Sequence, residues 1–283
     1  MNETGPERSL GISRSTVVGD DVVASMASGP WLNGPAGAPP GGVLGVLIDD
    51  VLGLAIARHR EAGQWTVSAE ISLDLTGPVP ADGSRIEARG RHVHSGRHGG
   101  LSVGTVHDAS GGLVALCRQH GRWVTTVPDD PMTPSEAGTA AGGPPASGAP
   151  AVPGPAVPGP AAPWQPPASL AALLGARAEP AEGGAMLDLE VTTGLTNPLG
   201  NLHGGITFVA CDLLAQAALL AEGGPTQTAS IHVTYPRPMP LGAKPRFEAR
   251  VLHRGRSLGI VRVTATVDGM KPCAIAMITT GAG

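Results

Sequence analysis

The sequence predicts an α+β fold in which one long apolar helix followed by antiparallel strands occurs twice, each sheet wrapping its helix. Three observations predict it. Residues 197–221, NPLGNLHGGITFVACDLLAQAALLA, and residues 37–57, GAPPGGVLGVLIDDVLGLAIA, each carry a Gly-Gly turn ahead of a long apolar run. A helix that is apolar all round is a buried one. Each run is followed by four segments whose apolar residues alternate with period two, as half-buried strands do. Between the two parts lies DDPMTPSEAGTAAGGPPASGAPAVPGPAVPGPAAP, which has no hydrophobic period.

The elements follow in order. Residues 1–15 are read as a disordered N-terminal tail, 16–128 as a first domain, 129–165 as a linker and 166–283 as a second domain. The linker is semi-extended where its prolines cluster. The strands of the first part are expected at 66–75, 84–94, 100–108 and 113–125. Those of the second are expected at 227–235, 244–253, 258–268 and 272–280. The two parts superpose: Gly37 falls on Gly200, Pro40 on His203, Gly41 on Gly204, Gly42 on Gly205 and Asp49 on Asp212. SAEISLDLTGPVP falls on TASIHVTYPRPMP after a small loop difference. An internal duplication of this kind makes a pseudo-dimer.

Hydrophobic residues make up 41% of the 283 residues, enough for a packed core, but aromatics are only 2%, so Val, Leu, Ile and Ala must fill it. The net charge is −4 and no basic stripe interleaves with aromatics, which argues against nucleic acid as a partner. Cys117, Cys211 and Cys273 form no CxxC, so neither a disulfide framework nor a zinc site is expected, and a reducing, cytoplasmic setting fits. The start, MNETGPERSL, is polar and does not read as a signal peptide. The longest apolar run, 43–57, is too short for a bilayer and is split by Asp49 and Asp50, so no membrane partner is expected.

A lone carboxylate in an apolar helix is costly unless it is hydrogen-bonded or faces a cavity, and both runs carry one at the same register, Asp49 and Asp212. The Gly-Gly turns leave helix-start amides free to hold an anion or a developing oxyanion. Asp212 stands nine residues beyond His203, roughly 13 Å along a helix, too far for one carbonyl to touch both. If the two helices run antiparallel, the acid of each part meets the glycine turn of the other. Asp50 lies about 100° round the helix from Asp49. The register with Asp212 favours Asp49 as the acid, with Asp50 making a polar contact or facing the helix flank.

Asn197–Pro–Leu–Gly–Asn–Leu–His203–Gly204–Gly205, with Asp212 nine positions after the histidine, resembles the hot-dog-fold thioesterases of the PaaI-like group. The first part resembles the same fold more loosely, so the chain looks like two fused hot-dog domains. The resemblance implies hydrolysis of an acyl-CoA thioester. Asn197, His203 and Gly204 would lie on the oxyanion side, Asp49 or Asp212 would be the acid, and Ser68 or Thr228 would help place water. The first part departs from the motif: Pro40 stands in place of His203 and Gly34 in place of Asn197. Pairing Asp49 and Ser68 with Asn197, His203 and Gly204 therefore gives one complete site, while Asp212 and Thr228 serve a degenerate one.

Arg97, Arg254 and Arg256 sit at equivalent strand junctions and are candidates for the phosphates of coenzyme A. His92, His94 and His98 lack an acid or Cys to complete a metal set, and no nucleotide fingerprint is present, so neither a metal nor a cofactor is expected. Two other readings stand: a non-catalytic acyl-CoA-binding or regulatory protein on this fold, and a hydratase or dehydratase, for which neither apolar run carries a histidine. Further pairing of such units into a homo-oligomer is open.

Overall fold

The computed structural model describes residues 5–125, 164–269 and 271–281. The first stretch forms α1 (Pro6–Ser9), β1 (Thr16–Val18), β2 (Asp21–Ala27), α2 (Gly45–Ala57), β3 (Trp65–Leu75), β4 (Arg85–Gly96), β5 (Gly99–His107) and β6 (Leu113–Val124). The remainder forms α3 (Leu170–Leu174), β7 (Glu179–Ala181), β8 (Gly184–Asp188), α4 (Gly204–Ala221), β9 (Gln227–Thr234), β10 (Pro245–Arg254), β11 (Leu258–Val267) and β12 (Pro272–Gly281). A 3-10 turn at Gly41–Leu44 leads into α2. The eight strands expected from alternation lie within two residues of their expected ends.

All strands join one antiparallel sheet in the order β1-β2-β4-β5-β6-β3-β9-β12-β11-β10-β8-β7. The order reads alike from either edge to the central seam, where β3 pairs with β9 and Ser72 lies opposite His232. A pseudo-twofold axis therefore passes through that seam. Each seam strand carries a bulge at the same place, after Ser68 in β3 and opposite Thr279–Thr280 just after Thr228 in β9. A bulge re-aims the neighbouring side chain, and here the residue just before it carries a hydroxyl in both strands.

The sheet closes over α2 and α4. Eleven residues of α2 and fourteen of α4 are buried. At roughly 1.5–3 kcal/mol per buried Val, Leu, Ile or Phe, these two helices anchor the core. They touch through glycines. A Cβ on Gly45 would come within 2.5 Å of the Gly205 carbonyl oxygen, and one on Gly42 within 2.6 Å of the Phe208 carbonyl. Asp49 reaches Gly205 while Gly42 reaches Asp212, so the helices run antiparallel where they meet.

Two expectations are corrected. Residues 5–15 are not a loose tail: Leu10 and Ile12 are buried in the core, and Trp164 closes over Gly11 while its Nε1 donates to the Arg8 carbonyl at 2.8 Å. Apolar residues at 10 and 12 drive this docking, which the polar start of the segment hid. The longest apolar run among the described residues is also not 43–57 but α4, 18 residues with mean hydropathy 1.6. It is 78% buried against the sheet, as a core helix is. The expected linker lies outside the described residues except for 164–165.

The helix crossing yields a direct prediction. Gly45→Ala forces a methyl against the Gly205 backbone and destabilises by about 1–3 kcal/mol. Urea unfolding followed by circular dichroism checks it.

Candidate active site

Asp49 projects from the second turn of α2 to the start of α4. Its Oδ2 accepts the Gly205 N–H at 3.2 Å and lies 3.3 Å from His203 Nδ1. Its Oδ1 accepts the Ser68 hydroxyl at 2.6 Å and Gln119 Nε2 at 3.2 Å. Gln119 Nε2 also donates to Ser68 Oγ at 2.8 Å, which closes a triangle of three side chains. The bulge after Ser68 and the inward phase of β6 bring the hydroxyl and the amide to the acid.

His203 caps α4. Its ring is almost fully enclosed, with Nε2 3.5 Å from Asp50 Oδ1 and 3.6 Å from Glu7 Oε1. Burial works against a charged ring, but the hydrogen bond to Asp50 and the charges of Asp49, Glu7 and Asp50 outweigh it and push the imidazole up to about 9. Burial, reinforced by Glu7, raises Asp50 to about 7 despite the histidine. As an imidazolium His203 donates from both nitrogens, toward Asp49 on one side and Asp50 and Glu7 on the other. The donor atoms of Glu7, Asp50 and His203 lie within 4.8 Å of one another, close enough to hold a metal ion as well. The imidazolium itself already supplies the positive charge that these two acids need.

A cavity of about 540 Å³ opens here, lined by Asp49, Asp50, Ser68, Gln119, Asn197, His203, Gly204 and Tyr235 among others. Trp65, Leu54 and Val67 give it an apolar wall. The Gly204 N–H, first in the helix, has no protein acceptor among the described residues. The Tyr235 hydroxyl donates to the Gly204 carbonyl at 2.9 Å and steadies that turn. Asn197 Oδ1 accepts the N–H groups of Leu199 and Asn201, at 3.0 and 3.2 Å, which commits the oxygen to a turn and leaves Nδ2 as the donor.

The pseudo-equivalent place has closed. Asp212 Oδ2 accepts the Gly42 N–H and the Thr228 hydroxyl, both at 2.8 Å, and Thr228 Oγ1 also takes the Gly41 N–H at 3.2 Å. The amide equivalent to Gly204 N–H is therefore occupied. Every other polar group of the open site is replaced: Asp50 by Leu213, Gln119 by Ile278, Tyr235 by Leu75. Leu75 packs against Gly41, and a Cβ on Gly34 would lie 2.5 Å from Gln216 Oε1, so nothing could stand where Asn197 stands. Asp212 is wholly buried, and neither it nor Thr228 lines the cavity.

The expected residues thus part company. Asp49, Ser68, Asn197, His203 and Gly204 come together; Asp212 and Thr228 form a separate, sealed pair. Asp50 makes the polar contact expected of it, but inside the cavity rather than on the helix flank. Arg97, Arg254 and Arg256 do not line the cavity. Arg254 caps the far end of α4 through the Glu222 carbonyl at 2.8 Å, and Arg256 lies in the following turn. Arg97 lies in the hairpin where the Gly96 carbonyl accepts Nε1 of Trp123, a cavity-lining residue. The cavity's own arginines are Arg122 and Arg237. Gln119, Tyr235 and Glu7 went unrecognised. Gln119 could have been found as the polar residue on the inward phase of Ala115, Cys117, Gln119 and Gly121; Tyr235 is the chain's one tyrosine; Glu7 left no signal.

Two family models match the chain. The model of the acyl-CoA thioesterase N-terminal domain matches residues 192–281, and that of the acyl-CoA thioesterase C-terminal domain matches residues 24–123. The chain belongs to the acyl-CoA thioesterase family. Its two parts stand in the reverse of the order those domain names describe. Acyl-coenzyme A thioesterase 13 of Homo sapiens is 33% identical over 88 residues, 30% of this chain and 63% of that protein; the Mus musculus protein is 31% identical over 81 residues, 28% of this chain and 58% of that one. The chain thus spans less than two thirds of the curated relatives it matches. Among solved structures, the tesB protein of Mycobacterium avium subs paratuberculosis superposes with a TM-score of 0.60 at 14% identity, covering 98% of both chains. The 12:0-ACP thioesterase of Umbellularia californica gives 0.56 at 11% identity, over 92% of this chain and 94% of that one. These two show the shared hot-dog fold.

Asp212 supplies a test of the sealed pair. Burial raises it to about 6, against the bonds from Gly42 and Thr228 that lower it. An acid raised in the folded state contributes stability below its unfolded value, near 4, and loses it as pH rises through about 6. Asp212→Asn removes that titration, so its melting temperature gains on wild type between pH 4 and pH 7, by the equivalent of about 1–3 kcal/mol. Calorimetry across that range reads the gap.

Proposed function

We propose that this protein hydrolyses acyl-CoA thioesters at one composite site, built from Asp49, Ser68 and Gln119 of the first hot-dog half and the PaaI-like turn Asn197–Gly205 of the second. One observation carries the reading: the closed triangle on Asp49 faces a helix-start amide that has no protein acceptor among the described residues, inside one cavity. The thioester carbonyl oxygen docks on the Gly204 N–H, with Asn197 Nδ2 beside it. The positive end of α4 and the His203 imidazolium favour the charge that develops there.

Both oxygens of Asp49 are pinned by protein donors, which suits a base better than a nucleophile. A water lodged against Asp49, Ser68 and Gln119 adds its oxygen to the carbonyl carbon while its proton passes to the carboxylate. Collapse of the tetrahedral intermediate expels the coenzyme A sulfur, which takes that proton back. The products are a free acid and the thiol. Arg122 and Arg237 are placed for the anionic part of the substrate better than Arg97, Arg254 or Arg256.

The test is coenzyme A release from a panel of acyl-CoAs. Asp49→Asn is expected to lose at least about 100-fold in kcat/KM. Ser68→Ala and Gln119→Leu lower kcat more than they raise KM, and Asp212→Asn keeps wild-type turnover. Loss of turnover in Asp212→Asn with retention in Asp49→Asn would overturn the assignment. Binding without release selects a non-catalytic protein. An enoyl-CoA belongs in the panel, because His203 beside Asp49 is an acid–base pair that a hydratase would use; hydration there contradicts the thioesterase reading.

A further inference from the structure

Glu7 has no place in the scheme above, yet it lines the catalytic cavity and is only 4% exposed. It lies outside the residues that either family model matches. We propose that Glu7 is a positioning residue: the N-terminal segment carries it into the site, where with Asp50 it grips His203 by Nε2 and so fixes the ring against Asp49. The inference rests on the thioesterase reading only for its effect on rate; the grip itself is independent of it.

Three observations support it. The geometry is a relay: Glu7 Oε1 lies 3.6 Å and Asp50 Oδ1 3.5 Å from Nε2, while Nδ1 lies 3.3 Å from Asp49. The segment is built to deliver the residue. The Ile12 N–H donates to the Glu7 carbonyl at 2.8 Å, the Ser13 N–H to the Ser25 carbonyl at 2.7 Å, and Trp164 clamps Arg8 and Gly11 from the second half. Trp31 meets the edge of Trp164, with centroids 6.1 Å apart, behind that clamp. Finally, a buried carboxylate is costly unless it is paired. The Glu7 Oε2 atom has no hydrogen-bond partner among the described residues, so the contact with His203 is what compensates this acid. The groups facing His203 are Glu7 from α1, Asp49 and Asp50 from α2, and the α4 helix start to which the ring belongs.

The experiment is a titration of the His203 imidazole by NMR in the full chain, its signal assigned from its loss in His203→Gln. Wild type is compared with Glu7→Gln, which keeps size and shape, and with Trp164→Ala, which releases the segment and leaves the carboxylate. Removing a nearby anion lowers the proton affinity of a histidine. The midpoint is expected to fall by about one pH unit in Glu7→Gln and in the same direction in Trp164→Ala. The alkaline limb of kcat/KM moves down with it while KM holds. Glu7→Gln is expected to melt within a few degrees of wild type, so a merely structural role would leave the midpoint in place. An unchanged midpoint overturns the proposal. If wild type turns over no acyl-CoA, the thioesterase reading fails, and the titration still decides the role of Glu7.

Discussion

The close antiparallel crossing of α2 and α4 is the contact on which the rest of the molecule depends. Glycines at 42, 45 and 205 let the two backbones approach as no side chain would. That approach sets the acid of each helix against the first amides of the other. The sheet, closed around the pair, supplies a hydroxyl on each side through a matching bulge. Buried carboxylates are thereby given donors, which is the condition for keeping a charge inside an apolar core. The same donors are oriented toward anything that enters at a helix start.

The duplication then allows the two places to diverge. In one, polar residues surround an open space; in the other, Leu213, Ile278, Leu75 and Pro40 fill it, and Thr228 occupies the amide that would otherwise receive an oxyanion. A sealed acid still has a role, since Asp212 ties the 3-10 entry of α2 to α4. The pseudo-twofold seam between β3 and β9 also makes sense of the reversed order of the two family domains. Halves that meet across such an axis form the same interface whichever comes first, provided that the connection spans them.

Much of this was legible in the residues. Strand alternation, the glycine turns and the repeated acid pointed to the elements, to their antiparallel meeting and to Asp49 and Ser68 as the pair facing Asn197, His203 and Gly204. The sequence was silent where long-range contacts decide. Glu7 sits in a polar start whose docking depends on Leu10, Ile12 and a tryptophan more than 150 positions away. Gln119 reads as one polar residue in a strand until β6 is laid beside Ser68. The arginines at the hairpins looked equivalent because the parts are, but a cavity exists on one side of the axis, and repetition alone could not tell which junctions border it.

One measurement bears most directly on the claim of a single working site: calorimetric titration of the full chain with a thioether analogue of an acyl-CoA, which binds and cannot be hydrolysed. The account predicts about one molecule bound per chain, with binding lost when Gly204→Val fills the space beside Asp49 and kept when the sealed site is altered by Asp212→Asn. Two equivalents per chain, or binding that depends on Asp212 rather than on Gly204, would contradict it.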